Sequence, residues 1–462
     1  MIYLSARASA VAGHASDARN AGAVDPIEWL RAGQRPHLLH VRQVPLAALS
    51  DWAFEPATGN LRHRTGRFFS IEGVHVTTNY GAIAHWTQPI IDQPEVGILG
   101  LLVARERGTL HALAQRKIEP GNVNVAQISP TLQATESNYT RVHGGDRPRY
   151  LEYFVAPRRG TVIADQLQVE QAARYGGKRN RNIIVEVDRG EVPLAPDFRW
   201  VTLGELSACA RMPSALNLDM RSVLSCLPAS LFRVVGRQRP DAPFSMRVAH
   251  SLTSECTGER LADIRAWLLG LRRRFWMEAP SVPLRTVSGW HHMDGVIAHE
   301  SGRFFEIIGV AVEAPTREVT RWDQPLVRGT GRGITGLLCQ QQNGVLRFLV
   351  RGLLEPGQPM VRVGPTVQCI PANHATPPAY LAEIAHAPDC RVRLRTIQSE
   401  EGGRFYHDER DLVVVELPPD APVEERPEYM WLTLREFKEL AAQDGVVNIE
   451  ARSLIACLSF IA

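Results

Sequence analysis

The tetrapeptide Gly66-Arg67-Phe68-Phe69 occurs a second time as Gly302-Arg303-Phe304-Phe305, and the match continues far beyond these four residues. Residues 66–121 align with residues 302–357 at a constant offset of 236, without a gap, and 22 of the 56 positions are identical. Identity at this level over one ungapped stretch indicates a tandem duplication. A duplication has to be recognised first, because it decides how every local pattern is interpreted.

The duplication extends to both sides of this stretch. Upstream, Trp29 and Trp52 align with Trp267 and Trp290. Downstream, the aligned positions are Trp200, Asn217, Arg221 and Cys226 in the first copy and Trp431, Asn448, Arg452 and Cys457 in the second. A repeat of about 200 residues is long enough to bury a core of its own. We therefore predict a flexible tail at 1–24, a first domain at 25–232, a linker at 233–260 and a second domain at 261–462.

Both copies carry the same order of local signals. Asp25-Pro26 is an N-cap followed by a proline at the first helical position, and apolar residues recur at helical spacing over 261–276. Runs such as 68–76, 97–103 and 110–113 are typical of strands. Capping boxes that start at Thr202 and Thr433 predict a second helix near each C-terminal end. Strands between two helices, twice over, predict a mixed α+β architecture.

The composition is that of an ordinary globular protein, with 44% hydrophobic and 22% charged residues. A net charge of +3 gives no support for nucleic-acid binding, and no run of about 18 apolar residues indicates a membrane span. Seven cysteines without a paired spacing predict reduced thiols and a cytoplasmic protein. The only lysines are Lys117, Lys178 and Lys438, and a lysine retained where arginine is the rule hints at proton transfer.

Two motif-like patterns lack the surroundings that would support them. Gly331, Gly333 and Gly336 have the spacing of a dinucleotide fingerprint, but no helical pattern follows them. His291 and His292 lack partners at metal-ligand spacing. The sequence therefore predicts neither a cofactor nor a metal site.

The densest run of polar residues lies between positions 115 and 143 and contains Glu119-Pro120-Gly121. Its amides and hydroxyls are suited to the hydroxyls of a sugar, and its aromatic residue is suited to stacking on a base. The alternative is a plain turn followed by a solvated loop.

The second copy repeats this pattern with fewer reactive side chains. Leu353 stands opposite Lys117, and His374 stands opposite Tyr139. We therefore predict that the first copy is catalytic and that the second is an auxiliary binding copy.

Five segments carry a family resemblance. They are Trp86-x-Gln88-Pro89, Gly97-Ile98-Leu99-Gly100, Lys117-Ile118-Glu119-Pro120-Gly121-Asn122, residues 129–139, and Tyr150-Leu151-Glu152-Tyr153-Phe154. They resemble the NDP-hexose 2,3-dehydratases of deoxysugar biosynthesis, and the resemblance covers nearly the whole chain after residue 24. It implies a tandem pair of Nudix-like mixed-sheet domains flanked by helices, a homodimer, and dTDP-4-keto-6-deoxyglucose as the substrate. The glutamate-rich metal box of Nudix hydrolases is not visible in the sequence, so the fold would not carry hydrolysis with it.

The implied reaction removes the C3 proton beside the C4 ketone and expels the C2 hydroxyl, without a cofactor. It needs a general base, a group that stabilises the enolate at O4, and an acid for the leaving hydroxyl. The candidate bases are His143, Tyr139, Glu119 and Lys117. As a cation, Lys117 suits enolate stabilisation better. The alternatives are a loop histidine at 143 and a salt bridge between Lys117 and Glu119.

Substrate contacts are predicted from both copies. Arginine forks suit the diphosphate, and tryptophans at equivalent positions either stack on the thymine or fill the core. The predicted binding residues are Trp52, Gln133, Thr135, Glu136, Ser137, Asn138, Arg141, Arg179, Arg181, Trp290, Gln368, Asn373, His374 and Arg404.

The chemistry of the product predicts a partner enzyme. We expect coupling to an NADPH-dependent 3-ketoreductase, with neither a nucleic acid nor a membrane as a partner. The alternatives are a non-catalytic nucleotide-sugar binding protein and a metal-dependent Nudix-type pyrophosphohydrolase.

Overall fold

The computed structural model describes residues 2–4, 25–35, 38–139, 147–155, 159–234, 242–315 and 319–459. The strands of the first half are β1 (Ile2–Leu4), β2 (His40–Val44), β3 (Trp52–Phe54), β4 (Leu61–His63), β5 (Ser70–Thr78), β6 (His85–Asp92), β7 (Gly97–Glu106), β8 (Thr109–Ile118), β9 (Ala126–Ser129), β10 (Leu132–Ala134), β11 (Thr161–Val169), β12 (Arg179–Glu186), β13 (Phe198–Thr202) and β14 (Phe232–Val234). Those of the second half are β15 (Met277–Glu278), β16 (Ser281–Val282), β17 (Trp290–Met293), β18 (Val296–His299), β19 (Phe305–Glu313), β20 (Arg321–Gly329), β21 (Gly333–Gln342), β22 (Val345–Glu355), β23 (Gln358–Gly364), β24 (Val367–Cys369), β25 (Val392–Ser399), β26 (Glu409–Leu417) and β27 (Tyr429–Thr433). The α-helices are α1 (Pro26–Gly33), α2 (Glu136–Tyr139), α3 (Leu203–Ala210), α4 (Leu218–Ser225), α5 (Phe244–Thr253), α6 (Gly258–Arg274), α7 (Leu381–Ala385), α8 (Leu434–Ala441) and α9 (Ile449–Ser459).

Each copy contains a mixed sheet of the same design. In the first copy the strand order is β11-β12-β7-β8-β13, with β10 added on β7 and β9 added on β8. In the second copy β25, β26, β21, β22 and β23 follow one another, with β24 on β21 and β27 on β22. One neighbouring pair in each sheet is parallel, β7 with β12 and β21 with β26. The protein is therefore mixed α+β, and the duplication is visible in its sheets.

A second sheet in each copy is completed by a strand from the other copy. Strand β2 of the first copy pairs antiparallel with β19 of the second, with Val44 opposite Gly309. In return, β15 and β16 of the second copy pair with β5 of the first, with Met277 opposite Thr78. An uncovered strand edge exposes unpaired N–H and C=O groups. Neither copy therefore completes its sheets on its own.

Trp52 and Trp290 lie in a core that both copies share, and they are only 4% and 9% exposed. Trp52 donates its indole N–H to the carbonyl of Asp323 at 3.1 Å, and Trp290 donates to the carbonyl of Thr87 at 3.2 Å. Both hydrogen bonds cross from one copy to the other at equivalent positions. This geometry favours the core role over base stacking for the two tryptophans.

The helix starts follow the sequence signals. The side chain of Asp25 caps α1, and complete capping boxes at Thr202 and Thr433 open α3 and α8. Helices α4 and α9 pack against each other, and each begins after an asparagine, Asn217 or Asn448, whose side-chain oxygen accepts an amide hydrogen from the first turn. These two asparagines also reach the polar sites described below.

Two arginines join the copies from inside the protein: Arg221 on α4 and Arg452 on α9 are 2% and 0% exposed. Arg221 donates to the carbonyl of Ser399 at 2.7 Å, and Arg452 donates to the carbonyl of Val169 at 3.0 Å. A buried guanidinium without acceptors is strongly destabilising. These bonds therefore fix each helix against a strand of the other copy.

The predicted tail and linker contain regular structure. Ile2–Leu4 pairs with Phe232–Val234, while residues 5–24 lie outside the described residues. Helix α5 falls within the predicted linker and attaches to the second copy, because Ser251 donates its hydroxyl to the carbonyl of Leu346 at 2.6 Å. None of the helices in the described ranges is long and apolar enough to cross a membrane.

We expect the two halves to fold only together. A fragment that ends at Val234 and one that begins at Asp241 each lack an exchanged strand and the acceptors of a buried arginine. Expressed separately, each fragment should aggregate or show no cooperative thermal transition by circular dichroism, whereas the co-expressed fragments should copurify and melt cooperatively. The full-length chain is the control. A single fragment that melts at the full-length temperature would contradict this expectation.

Candidate active site

A hydrogen-bonded group of polar side chains lies at the C-terminal end of β8. Asn217 Nδ2 donates to Gln133 Oε1 at 3.0 Å, and Gln133 Nε2 donates to Glu119 Oε1 at 3.0 Å. Lys117 Nζ lies 3.6 Å from Glu119 Oε1 and donates to the carbonyl of Gln133 at 3.3 Å. Glu119 Oε2 is buried and has no hydrogen-bond partner among the described residues. We call Lys117, Glu119, Gln133 and Asn217 the copy-one site.

An equivalent group, which we call the copy-two site, consists of Glu355, Arg362, Gln368 and Asn448. Asn448 Nδ2 donates to Gln368 Oε1 at 2.7 Å, and Gln368 Nε2 donates to Glu355 Oε1 at 3.1 Å. The predicted residues Lys117, Glu119 and Gln133 therefore lie together in the first copy, and Gln368 has the same surroundings in the second.

The positively charged side chain beside the glutamate comes from a different strand in each site. Lys117 of β8 stands opposite Gln127 of β9, whereas Leu353 of β22 stands opposite Arg362 of β23. Arg362 is 1% exposed and forms a 3.0 Å ion pair with Glu355. A lysine amine can gain or lose a proton, whereas a guanidinium stays charged. The copy-one site thus has the cation that is suited to proton chemistry.

Next to each site, the Glu-Pro-Gly turn contacts a loop of the other copy. The amide of Gly121 donates to the carbonyl of Gly402 at 2.7 Å, and that of Gly357 donates to the carbonyl of Ala172 at 2.7 Å. A Cβ at Gly121 would collide with the carbonyl of Phe405. The repeated motif therefore marks a contact between the copies.

The loop that reaches the copy-one site carries Glu401 and Arg404. Tyr175 of the first copy donates its hydroxyl to Glu401 Oε2 at 2.7 Å. Burial raises the pKa of Glu401, and the neighbouring Arg404 opposes that shift. Arg404 donates to the side chain of Gln93 at 3.2 Å and lies 4.0 Å above the ring of Phe69.

Asp219 is a third carboxyl group in the same region, in the first turn of α4. It is 3% exposed. Burial raises the pKa of Asp219 well above its usual range, and the nearby Glu401, Glu170 and Glu119 add to this while Lys117 lowers it. Carboxyl groups held in different environments are the usual basis of acid–base pairs.

The predicted residues that follow Gln133 make their own contacts nearby. Thr135 and Ser137 share a 3.0 Å hydroxyl contact, and the amide of Ser137 donates to Glu95 Oε2 at 2.9 Å. Tyr139 donates its hydroxyl to the carbonyl of Val96 at 3.2 Å, and burial raises its pKa. The exposed residues of this segment are Glu136 and Asn138. None of the described hydrogen bonds joins the segment to Lys117 or Glu119.

Three of the predicted arginines, Arg179, Arg181 and Arg404, lie within the described residues. Arg181 forms a two-pronged contact with Asp165, at 2.7 and 2.6 Å. Arg179 is the first residue of β12 and stands opposite Val169 of β11. Arg404 is the predicted arginine that lies beside the copy-one site.

Three further predicted residues lie elsewhere, and two have no description. The side-chain oxygen of Asn373 accepts the amide hydrogen of Phe304 at 3.2 Å, which fixes the loop that precedes His374. Trp290 is in the shared core. Arg141 and His143 lie outside the described residues.

Comparison with known proteins identifies the family. The model of the NDP-hexose 2,3-dehydratase family matches residues 24–227 and again residues 261–458. The chain belongs to the NDP-hexose 2,3-dehydratase family. It is 41% identical over 438 residues to the dTDP-4-dehydro-6-deoxy-alpha-D-glucopyranose 2,3-dehydratase of Saccharopolyspora spinosa, a match that covers 93% of this chain and 90% of the relative. Enzymes of the same name from Streptomyces violaceoruber and Amycolatopsis orientalis are each 40% identical, over 93% of this chain and 95% and 89% of theirs.

Both 2,3-dehydratase segments supply residues in or next to the copy-one site. The first contains Glu119 and Asp219, and the second contains Glu401 and Arg404. Within the described part of the chain, no group of three or more His, Cys, Asp or Glu side chains is arranged to hold a metal ion.

Sequence reasoning missed Asp219, Tyr175 and Glu401. The signal that reveals two of them is an alignment of residues 170–175 with residues 400–405 at an offset of 230, in which a glutamate and an arginine recur four residues apart. Asp219 follows Asn217 by two positions, as Glu450 follows Asn448.

Glu450 gives the 2,3-dehydratase a stability that depends on pH. It is 4% exposed, both of its carboxylate oxygens lack hydrogen-bond partners among the described residues, and burial together with Glu355 raises its pKa to about 8. A carboxyl group whose pKa is raised on folding stabilises the folded state at low pH, and this stability is lost as the pH rises through the folded-state pKa. The melting temperature should therefore fall between the ordinary glutamate pKa of 4.5 and about pH 8, and this contribution should level off at higher pH. In Glu450→Gln the fall should be smaller.

The exposed Glu383→Gln is the matched control and should follow the wild type. Differential scanning fluorimetry across this pH range measures the effect. Equal losses of melting temperature in Glu450→Gln and wild type would contradict the assignment.

Proposed function

We propose that this protein is a dTDP-4-keto-6-deoxy-D-glucose 2,3-dehydratase, a hydro-lyase that forms a dTDP-3,4-diketo-2,6-dideoxyhexose. The observation that carries the proposal is the copy-one site, in which a buried glutamate with one unpartnered oxygen lies beside a lysine in a member of the 2,3-dehydratase family. The three relatives are named for this activity.

Glu119 is proposed as the base that takes the C3 proton. The C4 ketone acidifies this proton, because the electron pair left at C3 spreads onto O4. Gln133 holds one oxygen of Glu119, which leaves Oε2 for the proton. Such a base contributes about 10²–10⁴-fold in rate.

Lys117 is proposed as the cation that holds the enolate oxygen O4. Its two contacts, with Glu119 and with the carbonyl of Gln133, keep the amine within the site. A donor that is positioned before the charge develops stabilises the transition state more than the ground state. Tyr139 and His143 remain candidates for proton transfer, because both belong to the polar run that contains Lys117 and Glu119.

Arg404 is proposed to bind the diphosphate. It donates through Nε and Nη1 to Gln93 and Gly403, and its Nη2 atom donates to none of the described residues. Arginine binds phosphate oxygens with good geometry. The residues Gln133, Thr135, Glu136, Ser137 and Asn138 are proposed to face the sugar, and Arg141, Arg179 and Arg181 stay secondary candidates for the phosphates.

The finer features of the family resemblance are also proposals. The mixed sheets with one parallel pair are compatible with Nudix-like domains. A homodimer in the cytoplasm is expected, and light scattering measures its mass. The reactive diketone product calls for a 3-ketoreductase that uses NADPH.

One assay tests the proposed function. Purified protein is incubated, without added metal, with dTDP-4-keto-6-deoxyglucose, NADPH and a 3-ketoreductase, and the products are analysed by mass spectrometry. Loss of the C2 oxygen supports the dehydratase. Release of dTMP would indicate a pyrophosphohydrolase instead, and an unchanged but tightly bound sugar would indicate a binding protein.

Replacing Lys117 with leucine should lower kcat by at least about 100-fold, the effect expected from losing a donor to the developing oxyanion. The fold should persist, because leucine is the residue at the equivalent position 353. Leu353→Met is the matched control and should keep wild-type turnover. A wild-type rate in Lys117→Leu would exclude Lys117 from the reaction.

A further inference from the structure

The two loops that cross between the copies differ where they meet the sites. At an offset of 230, Glu401 aligns with Gln171, and Gly403 aligns with Ala173. Tyr175, the partner of Glu401, aligns with Phe405, which has no hydroxyl. A carboxyl group, its hydrogen-bond donor and a glycine therefore occur together only on the side of the copy-one site.

Glu401 and Glu119 approach each other beside Gly403. A Cβ at Gly403 would lie 2.5 Å from Glu401 Oε1 and 3.5 Å from Glu119 Oε1. The nearest oxygens of the two carboxyl groups therefore approach one point from different copies. At the equivalent position of the other loop, Ala173 carries a methyl group.

The environment of Glu401 suits a carboxyl group that carries a proton. Tyr175 holds Oε2 at 2.7 Å and orients the group. Burial and the charge of Glu119 raise the pKa of Glu401, and they outweigh Arg404, the hydrogen bond from Tyr175 and Lys117, which lower it. Oε1 is the oxygen that faces Gly403. The hydrogen bond to Oε2 thus fixes the carboxyl group of Glu401, and Oε1 is left to contact a substrate.

We propose that Glu401, supplied by the second copy, is the catalytic acid that protonates the departing C2 hydroxyl in the copy-one site. This inference rests on the proposed function. The position of Arg404 agrees with it, because the diphosphate that Arg404 is proposed to bind is attached to C1, next to C2. Glu119, supplied by the first copy, would then act at C3.

The protons balance over the cycle. Glu119 takes the C3 proton, and the Glu401 carboxyl gives its proton to the C2 oxygen as the C2–O bond breaks and water leaves. The electron pair from C3 forms the C2–C3 double bond, which gives an enol. The enol hydroxyl at C3 returns a proton to Glu401, and Glu119 returns its proton to C2. The net change is the loss of one water molecule.

Asp219 is the rival for this role, since it is buried and its charge interacts with Glu401 and Glu119. Its position is also acidic in the second copy, where Glu450 stands. Asp219 therefore does not account for the difference between the copies, whereas Glu401 does.

The experiment separates proton removal at C3 from loss of the hydroxyl. Wild type, Glu401→Gln and Lys117→Leu are incubated with dTDP-4-keto-6-deoxyglucose in D₂O, and NMR follows C3–H exchange and dehydration separately. Gln171 is the native residue at the equivalent position, so glutamine is compatible with this loop. We expect Glu401→Gln to dehydrate at least about 100-fold more slowly while it retains C3–H exchange. Lys117→Leu should lose both. The exposed Glu425→Gln is the matched control and should behave as wild type.

The outcomes are distinct. Wild-type dehydration by Glu401→Gln, or an equal loss of exchange and dehydration in that variant, would overturn the assignment. A wild-type enzyme that dehydrates nothing would overturn the proposed function instead.

A second variant keeps the test valid if Glu401→Gln melts below the wild type. Gly403→Ala leaves Glu401 in the chain but places a methyl group 2.5 Å from its Oε1 atom. Its dehydration should fall at least about tenfold with exchange retained. Ala173→Gly, the reciprocal change in the other loop, should leave both rates unchanged. Wild-type dehydration by Gly403→Ala would also overturn the proposal.

Discussion

The architecture depends on two buried guanidinium groups that must find hydrogen-bond acceptors, and each finds them in the other copy. Arg221 binds the carbonyl of Ser399, one residue before Glu400 and two before Glu401. Because α4 also presents Asn217 to Gln133, the same arginine ties one wall of the copy-one site to the other. A guanidinium left without these acceptors would cost several kcal/mol. The contact between the copies is therefore part of the folded state of each copy.

The backbone of the duplication has been retained while the charges have diverged. The hydrogen-bonded chain from asparagine through glutamine to glutamate is the same in both sites, which implies that the shape of the site requires it. In the copy-two site, the ion pair of Arg362 with Glu355 fully occupies one glutamate oxygen. In the copy-one site, Lys117 stands farther from Glu119, and Glu119 Oε2 stays unpartnered in the described structure. The longer distance between the cation and the glutamate in the copy-one site is consistent with a role of Glu119 in proton transfer.

The sequence predicts those features that depend on neighbours along the chain or on the repeat itself. The duplication, the helix caps and the proximity of Lys117, Glu119 and Gln133 follow from spacing, since β8, its turn and β10 are close in sequence. The contacts across the copies do not follow, because the pairing of β2 with β19 joins residues more than 200 positions apart. This is why Trp52 and Trp290 could be either core or ligand residues from the sequence, and why Glu401 was not apparent.

When a site takes one carboxyl group from each copy, the surroundings of the two carboxyl groups can differ. Carboxyl groups on separate copies can acquire different neighbours independently of each other. Here Glu119 sits beside a lysine, while Glu401 sits beside a phenol and receives its burial from the loop of the other copy. The two loops differ at the aligned positions Glu401 and Gln171, and again at Tyr175 and Phe405. These differences changed the surroundings of the copy-one site and left the copy-two site without the equivalent groups. Duplication followed by mutual docking thus offers a physical route from a symmetric pair of pockets to a single asymmetric acid–base pair.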